Sequence, residues 1–248
     1  MFDGPTGLKM LNVVARSHCG LVRLNNEDFV HADAEGGFAA LADGMGGLMA
    51  GEIASEVAVV TARKHLEAGA ARDSAQALSA IVNLSHNAVL AEARELNYVG
   101  KMGTTLIVWA RYGDGRSYFG HVGDSRLYAY GEGRLEQVTR DHTVAQRLID
   151  SGEVEPENEH EAPHRHVLTQ ALGLPGVFQP QVGEVPQCER LLMCSDGLSD
   201  LVRREQLEAL MATPELEHCA DYLLKAALDA GGRDNVSVVL VDFGGLRS

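Results

Sequence analysis

Three apolar runs follow one another between residues 105 and 130, and the short connections around them limit the fold more than any other feature. The runs at 105–110, 117–121 and 127–130 are rich in Val, Ile, Leu and aromatic residues, which predicts strands. Turns such as Tyr112-Gly-Asp-Gly-Arg116 and Gly131-Glu-Gly133 are far shorter than the roughly one dozen residues that a parallel crossover needs. The block therefore predicts antiparallel hairpins rather than a doubly wound parallel sheet.

The remaining elements alternate in blocks of strands and helices. Further strands are predicted at 11–15, 29–32, 38–42, 190–194 and 236–241, and helices at 50–68, 74–96, 203–211 and 214–230. This order predicts a layered α+β fold. Because the chain has 248 residues, 45% of them hydrophobic, one domain over 1–248 is expected. The polar, aperiodic stretch 150–166 is expected to form a surface loop.

Charge and composition exclude several classes of function. The formal net charge of −14 argues against a basic surface, so no nucleic-acid partner is expected. No apolar stretch approaches the roughly 20 residues of a membrane span, and the first residues lack a signal-peptide core. A cytoplasmic protein without a membrane partner is therefore expected. The four cysteines form no C-x-x-C pair, and none has an Arg six residues later, as a thiol phosphatase requires.

Acidic residues with glycine nearby lie at the ends of predicted strands. They are Asp43, Asp124, Asp196 and Asp234. For any one of them taken alone, a turn is the commoner explanation. Four carboxylates in one place would repel one another and raise one another's pKa unless cations neutralised them. Oxygen ligands without His or Cys companions favour Mg²⁺ or Mn²⁺ over zinc.

Six short motifs carry a resemblance to a known family. They are Arg23-Leu-Asn-Asn-Glu-Asp28, Ala42-Asp-Gly-Met-Gly-Gly47, Gly103-Thr-Thr105, Gly123-Asp-Ser-Arg126, Ser195-Asp-Gly197 and Gly232-Arg-Asp-Asn235. In this order they resemble the signature motifs of the metal-dependent Ser/Thr protein phosphatases of type 2C, bacterial branch. Each motif alone is weak, whereas the ordered set extends over essentially a whole catalytic domain. No P-loop, dinucleotide loop, Gly-x-Ser-x-Gly elbow or calcium loop competes with it.

The resemblance implies a four-layer α-β-β-α sandwich, with two antiparallel sheets flanked by helices and a binuclear Mn²⁺ or Mg²⁺ centre. By this resemblance, Asp43 bridges the two metals. The Gly44 carbonyl binds one metal, and Asp196 and Asp234 bind the other. Asp124, together with Asp196, matches the pair that holds a possible third, weaker metal.

The resemblance also implies the reaction and the remaining site residues. Glu27 and Asp28 match acidic residues that act mainly through metal-bound water, and Arg23 matches the residue that binds the substrate phosphate. The implied activity is hydrolysis of phosphoserine and phosphothreonine by an activated bridging water. Expected partners are phosphorylated proteins and a cognate bacterial Ser/Thr kinase, and the protein is expected to be a monomer.

The match departs from the family pattern at two positions and leaves alternatives open. Met45 stands where eukaryotic relatives have a His proposed as general acid, and where bacterial relatives commonly have Met. Gln170 stands where the flap, about 142–172, often has an Arg. In that flap, His160, His164 and His166 raise a zinc alternative, although solvated loop histidines fit their loose spacing better.

Two rival functions remain. One is a regulatory phosphatase that acts on one phosphorylated anti-anti-sigma-like partner; such proteins usually carry a sensor or regulatory domain, and the 248 residues are expected to leave no length for one. The other is a pseudophosphatase that binds phosphoproteins without cleaving them. Degenerate family members lose metal carboxylates, whereas none of the main ones is missing from this sequence. Hydrolysis is therefore the favoured hypothesis.

Overall fold

A computed structural model describes residues 11–45, 50–69, 74–156, 158 and 162–244. The strands are β1 (Asn12–His18), β2 (Asp28–Asp33), β3 (Phe38–Asp43), β4 (Leu106–Arg111), β5 (Ser117–Val122), β6 (Arg126–Gly131), β7 (Arg134–Gln137), β8 (Gln181–Glu184), β9 (Arg190–Cys194) and β10 (Val236–Asp242). The helices are α1 (Gly51–Glu67), α2 (Ala75–Glu95), α3 (Val144–Asp150), α4 (Asp196–Ser199), α5 (Arg204–Met211) and α6 (Leu216–Asp229). The predicted His160 and the end of the Ala42–Gly47 motif, Gly46 and Gly47, lie outside the described residues.

The strands form two five-stranded antiparallel sheets. Sheet 1 has the order β1-β10-β9-β6-β7, and sheet 2 has the order β2-β3-β4-β5-β8. Helices α1 and α2 cover the outer face of sheet 2, and α5 and α6 cover the outer face of sheet 1. The predicted four-layer α-β-β-α sandwich is therefore confirmed.

The central strands are buried on both faces, which explains why their sequences are continuously apolar. In β3, Ala40 and Ala42 pack against the helices, whereas Ala39 and Leu41 face the other sheet. Side chains alternate between the two faces of a strand, so each face of β3 meets a different apolar cluster. Because both faces of the central strands are buried among apolar side chains, polar side chains occur mainly where these strands end.

Every predicted strand and helix is present, with shifts at the ends, and four short elements were missed. These are β7, β8, α3 and α4. Strand β7 has a single buried residue, Leu135, and β8 is a half-exposed edge strand, so neither carries a clear apolar pattern. Because edge strands need only one paired neighbour, hydrogen bonds to β6 and β5 define them where the sequence does not.

The three short connections in the strand block have two different roles. The turns at 112–116 and 131–133 close hairpins, as predicted. The connection 123–125 instead carries the chain from β5 in sheet 2 to β6 in sheet 1. The Gly123-Asp-Ser-Arg126 motif therefore bridges the two sheets.

Among the described residues, no helix has both the length and the apolar surface required to cross a bilayer.

Candidate functional site

Asp43 ends β3 and is held there by the Gly103-Thr-Thr105 motif. The Asp43 N–H donates to Thr105 Oγ1 over 2.9 Å, and the Thr105 N–H donates to the Asp43 carbonyl over 2.9 Å. The Thr104 hydroxyl donates to the same carbonyl over 2.8 Å. The two threonines therefore fix the backbone that presents the Asp43 carboxylate.

Asp28 lies directly opposite Asp43 in the register of β2 and β3. Its side chain is buried, and its Oδ2 accepts a 2.8 Å hydrogen bond from the Ser195 hydroxyl. The Ser195 oxygen in turn accepts from the Ser237 N–H over 2.9 Å. The other carboxylate oxygen, Oδ1, has no hydrogen-bond partner among the described residues. A buried acceptor of this kind is costly unless a cation or water serves it.

Asp196 and Asp234 are brought together by a close approach of two backbones. Asp196 begins α4 directly after β9, and Asp234 precedes β10. A Cβ on Gly197 would lie 2.0 Å from the Asn235 carbonyl oxygen, so only glycine fits between them. Asp234 Oδ2 accepts a 2.8 Å hydrogen bond from Arg23 Nη2.

Asp124 lies on the connection between the two sheets, and this connection is tightly held. Gly123 has φ of +114°, and a Cβ there would meet Thr105 Cγ2 at 2.5 Å. The Gly123 N–H donates to His142 Nδ1 over 3.1 Å, and the His142 N–H donates to the Gly123 carbonyl over 2.8 Å. The hydroxyls of Ser125 and Thr105 lie 2.7 Å apart. The loop that carries Asp124 is thus anchored on the flap and on the threonine pair.

One cavity of about 450 Å³ receives these side chains. Its lining includes six of the predicted site residues, namely Arg23, Asp43, Gly44, Asp124, Asp196 and Asp234. Glu27 and Asp28 are behind this lining: the Glu27 carbonyl accepts from the Gly44 N–H over 3.0 Å, and Asp28 faces Asp43. A larger depression of about 660 Å³ at the other end of β10 contains none of the predicted residues. The chemistry is therefore sought in the smaller cavity.

Five carboxyl groups in and behind this cavity have raised pKa values in the absence of a cation. Burial raises the pKa of Asp28 to about 6 and that of Asp124 to about 7. The pKa values of Asp43 and Asp196 are raised well above the usual range, first by burial and then by repulsion from neighbouring carboxylates. Burial also raises the pKa of Glu27. An all-oxygen donor set with excess negative charge fits Mg²⁺ or Mn²⁺.

Asp200 and Arg165 belong to the cavity lining but were missed in the sequence. Asp200 follows α4, four residues after Asp196, and this helical spacing was the available signal. His166 Nδ1 lies 3.1 Å from Asp200 Oδ2, and Arg165 lies 3.6 Å from Asp200 Oδ1. His166, Asp196 and Asp200 offer ligand atoms that all lie within 4.8 Å of one another.

The flap begins and ends beside the cavity. Isolated bridges join Thr143 to Leu168 and Thr104 to Leu172, so the two ends of the flap are tied to each other and to the motif before β4. Gln170 Oε1 accepts a 2.7 Å hydrogen bond from the Gln179 N–H. Within the described part of the flap, His166 groups with carboxylates rather than with other histidines, which does not favour the zinc alternative.

Comparison with known proteins decides the family. A family model described as protein phosphatase 2C matches residues 18–230. The chain belongs to this family. It is 41% identical over 238 residues to the serine/threonine protein phosphatase PstP of Mycobacterium tuberculosis, a match that covers 94% of this chain and 45% of PstP. The chain therefore spans less than half the length of that relative.

One further relative and one solved structure extend the comparison. The serine/threonine phosphatase stp of Listeria welshimeri is 32% identical over 244 residues, covering 92% of this chain and 94% of that protein. A crystal structure of the PstP catalytic domain in complex with two manganese ions superposes with a TM-score of 0.83 at 38% identity, covering 94% of this chain and 97% of that chain. The predicted membership of the type 2C family is confirmed, and the role of each site residue stays a prediction.

Proposed function

We propose that this chain hydrolyses phosphoserine and phosphothreonine in proteins and depends on Mn²⁺ or Mg²⁺. The observation that carries the proposal is the convergence of Asp43, Asp124, Asp196 and Asp234 with Arg23 on one cavity. Three of these carboxyl groups have raised pKa values, which is the condition that bound cations relieve. Relatives over most of the chain are named serine/threonine phosphatases, and one was crystallised with two manganese ions.

Two divalent cations would be held by Asp43, the Gly44 carbonyl, Asp196 and Asp234. Asp43 would bridge them, because it ends a central strand and lines the same cavity as Asp196 and Asp234. When bound, such a pair supplies an activated water and neutralises the charge of the phosphate. Glu27 and Asp28 would support the cations through intervening water. Asp28 suits this role because its Oδ1 lacks a protein partner among the described residues.

Arg23 would bind the phosphate of the substrate. Its guanidinium presents a planar fork of donors that matches phosphate oxygens, which a Lys ammonium does not. One of its nitrogens donates to Asp234, a residue that we assign to the metal centre. A cation bound to Asp234 would weaken that ion pair and leave the guanidinium available to the phosphate.

A third, weaker cation would be held by Asp124 and Asp196. Asp200 and His166 extend this donor set, since their ligand atoms lie within 4.8 Å of that of Asp196. His166 belongs to the flap, so this position would link cation binding to the flap. Met45 lines the cavity in place of a titratable group and offers no proton to the leaving oxygen.

The partners would be phosphorylated proteins and the cognate Ser/Thr kinase, whose phosphorylated products this chain would dephosphorylate. The name PstP denotes a serine/threonine protein phosphatase, which supports protein substrates for this chain. A cytoplasmic location and a monomeric state remain predictions from the sequence. That neither a nucleic acid nor a membrane is a partner also remains a prediction, based on the formal net charge of −14 and the apolar pattern of the sequence.

Turnover of a small aryl phosphate tests this function. With Mn²⁺, wild-type protein is expected to release phosphate, and EDTA is expected to stop the reaction. Asp43→Asn removes a bridging charge, so turnover should fall by on the order of 10³-fold while the circular dichroism spectrum stays native. Asp114→Asn, in the exposed turn 112–116, is the matched control and should keep wild-type turnover. Turnover that survives both EDTA and Asp43→Asn would refute the proposal.

A further inference from the structure

Arg23 is flanked by exposed apolar side chains. Leu21, Val22 and Leu24 have exposed fractions of 65%, 65% and 97%. We call these three residues the apolar rim. None of them belongs to the buried apolar clusters of the described residues. The other large hydrophobic side chains that the described residues expose are single positions in the sequence, and one of them, Val167, lies between two cavity-lining residues; they are Leu84, Val99, Val167, Val177 and Tyr222.

The apolar rim is held in place by hydrogen bonds to the loop that carries Asp234. The Leu21 N–H donates to the Gly232 carbonyl over 2.7 Å. The Asn235 side-chain amide donates to the carbonyls of Cys19 and Asn25 over 2.9 and 2.8 Å. The backbone of the segment 19–25 is therefore held at both ends and at Leu21, which fixes where the three side chains leave the chain.

Exposed apolar side chains on a pinned segment require an explanation. A cluster of neighbouring apolar side chains exposed to water is unfavourable, and such patches mark binding surfaces more often than isolated residues do. The fold does not use these side chains for its core. A ligand that covered Leu24 would remove nearly all of its surface from water, which is the ordinary source of apolar affinity.

The position of the rim identifies the ligand. Arg23 lines the cavity, and Val22 and Leu24 are its immediate neighbours in the chain. An extended peptide advances by about 3.3 Å per residue, a spacing close to that between Arg23 and its neighbours in the chain, so a residue one or two positions from the phosphorylated one matches the scale of the rim. This inference rests on the function proposed above, because it requires Arg23 to hold the phosphate.

We propose that the apolar rim selects phosphoprotein segments with an apolar residue one or two positions from the phosphorylated Ser or Thr. Arg23 and the rim then act together, one on the phosphate and the other on the neighbouring side chain. The preferred substrate is an extended segment that carries Leu, Ile, Val, Met or Phe beside the phosphoresidue. A small aryl phosphate does not reach the rim and gains nothing from it.

The test compares phosphothreonine peptides that differ only in having Leu or Ser beside the phosphoresidue, at each of the four positions from two before it to two after it. With Mn²⁺, the wild-type protein should prefer Leu at one or more of these positions by on the order of tenfold in kcat/KM. Leu24→Ser should abolish this preference, and Val22→Ser should reduce it. Both variants should keep wild-type turnover of the small aryl phosphate and a wild-type thermal midpoint. Leu84→Ser on the outer face of α2 is the matched control and should keep the preference.

Several results would overturn the inference. These are wild-type protein without a preference at any position, a Leu24→Ser variant that keeps the preference, and a Leu84→Ser variant that loses it equally. If Leu24→Ser changed the molar mass measured by light scattering and left the preference intact, the rim would be a contact between two copies of the chain. Wild-type protein that cleaves neither peptides nor the aryl phosphate would instead refute the proposed function, and the inference with it.

Discussion

The two ends of the β9–β10 pair both contain buried charged groups, but only one end supplies those groups with partners inside the protein. At one end, Arg190 is directly opposite Asp242 and donates to its carboxylate over 2.9 Å. Its remaining nitrogens donate to the carbonyls of Met211, Thr213 and Pro214. This buried cation has a full set of partners inside the protein.

At the other end, the same strands lead into Ser195-Asp196 and Asp234-Asn235. Here carboxylates accumulate, and Arg23, an exposed side chain, is the cation paired with Asp234. The pKa of Asp196 is raised by burial and by repulsion from Asp124. A buried charge with partners inside the protein, such as Arg190, is part of the structural scaffold. Buried carboxylates without enough cationic partners instead indicate a site where a ligand binds.

The largest loss of stability should come from removing the buried cation Arg190. Arg190→Met leaves Asp242 buried without its cation and leaves three carbonyls without donors. We expect the free energy of unfolding to fall by about 3 to 5 kcal/mol, as measured by urea denaturation. Asp43→Asn at the other end is the comparison. In metal-free protein it removes a repelled charge and should leave stability unchanged or raised. Equal losses in both variants would contradict the distinction between the two ends.

A smaller effect should appear in the pH dependence of metal-free protein. The pKa values of Asp28 and Asp124 are raised in the folded state to about 6 and about 7, above the ordinary 3.8. At these two carboxyl groups, folded protein therefore binds more protons than unfolded protein between about pH 4 and pH 7. The contribution of each group to stability is greatest at the acidic side of this window and falls as pH rises through it, by about 2 to 3 kcal/mol per group.

Thermal unfolding in EDTA and in Mn²⁺ checks this dependence. Bound Mn²⁺ should reverse the trend, because cations bind the ionised carboxylates and stabilise the folded state more as pH rises. In metal-free protein, a difference in melting temperature between wild type and Asp124→Asn that stays constant from pH 4 to pH 7 would contradict the raised pKa of Asp124.

The smallest effect should come from Arg23. Its ion pair with Asp234 is partly exposed and is worth at most about 1 kcal/mol. Because the guanidinium competes with a cation for Asp234, Arg23→Gln should tighten Mn²⁺ binding by about two- to fivefold, measured by calorimetry. Arg63→Gln, which breaks the exposed pair with Glu67 on α1, should leave Mn²⁺ affinity unchanged. Weaker binding in Arg23→Gln would show that the arginine supports the metal site instead of competing for it.

The sequence predicted the parts of the site that repeat a local pattern. Asp43 and Asp196 follow continuous apolar strands, so the change from apolar to acidic was visible in the chain. The two sheets were predictable for a related reason, because central strands buried on both faces give uninterrupted apolar runs. Asp200 was visible only after α4 was known, since its helical spacing from Asp196 has no meaning in a loop.

Other features depend on contacts between distant parts of the chain. Ser195 donates to Asp28 across 167 positions, and Asn235 reaches Cys19 and Asn25 across more than 200. Hydrogen bonds between residues so far apart in the chain cannot be predicted from a local sequence pattern. The role of His142 in holding Gly123 is of the same kind, since it requires the flap to return to the strand connection.

The central claim is that the carboxylates of one cavity are completed by divalent cations. Crystals grown with Mn²⁺ and measured at the manganese absorption edge test it most directly. We predict two anomalous peaks bounded by Asp43, the Gly44 carbonyl, Asp196 and Asp234, with a weaker third beside Asp124. A map without peaks in this cavity, or with manganese bound only elsewhere, would contradict the account.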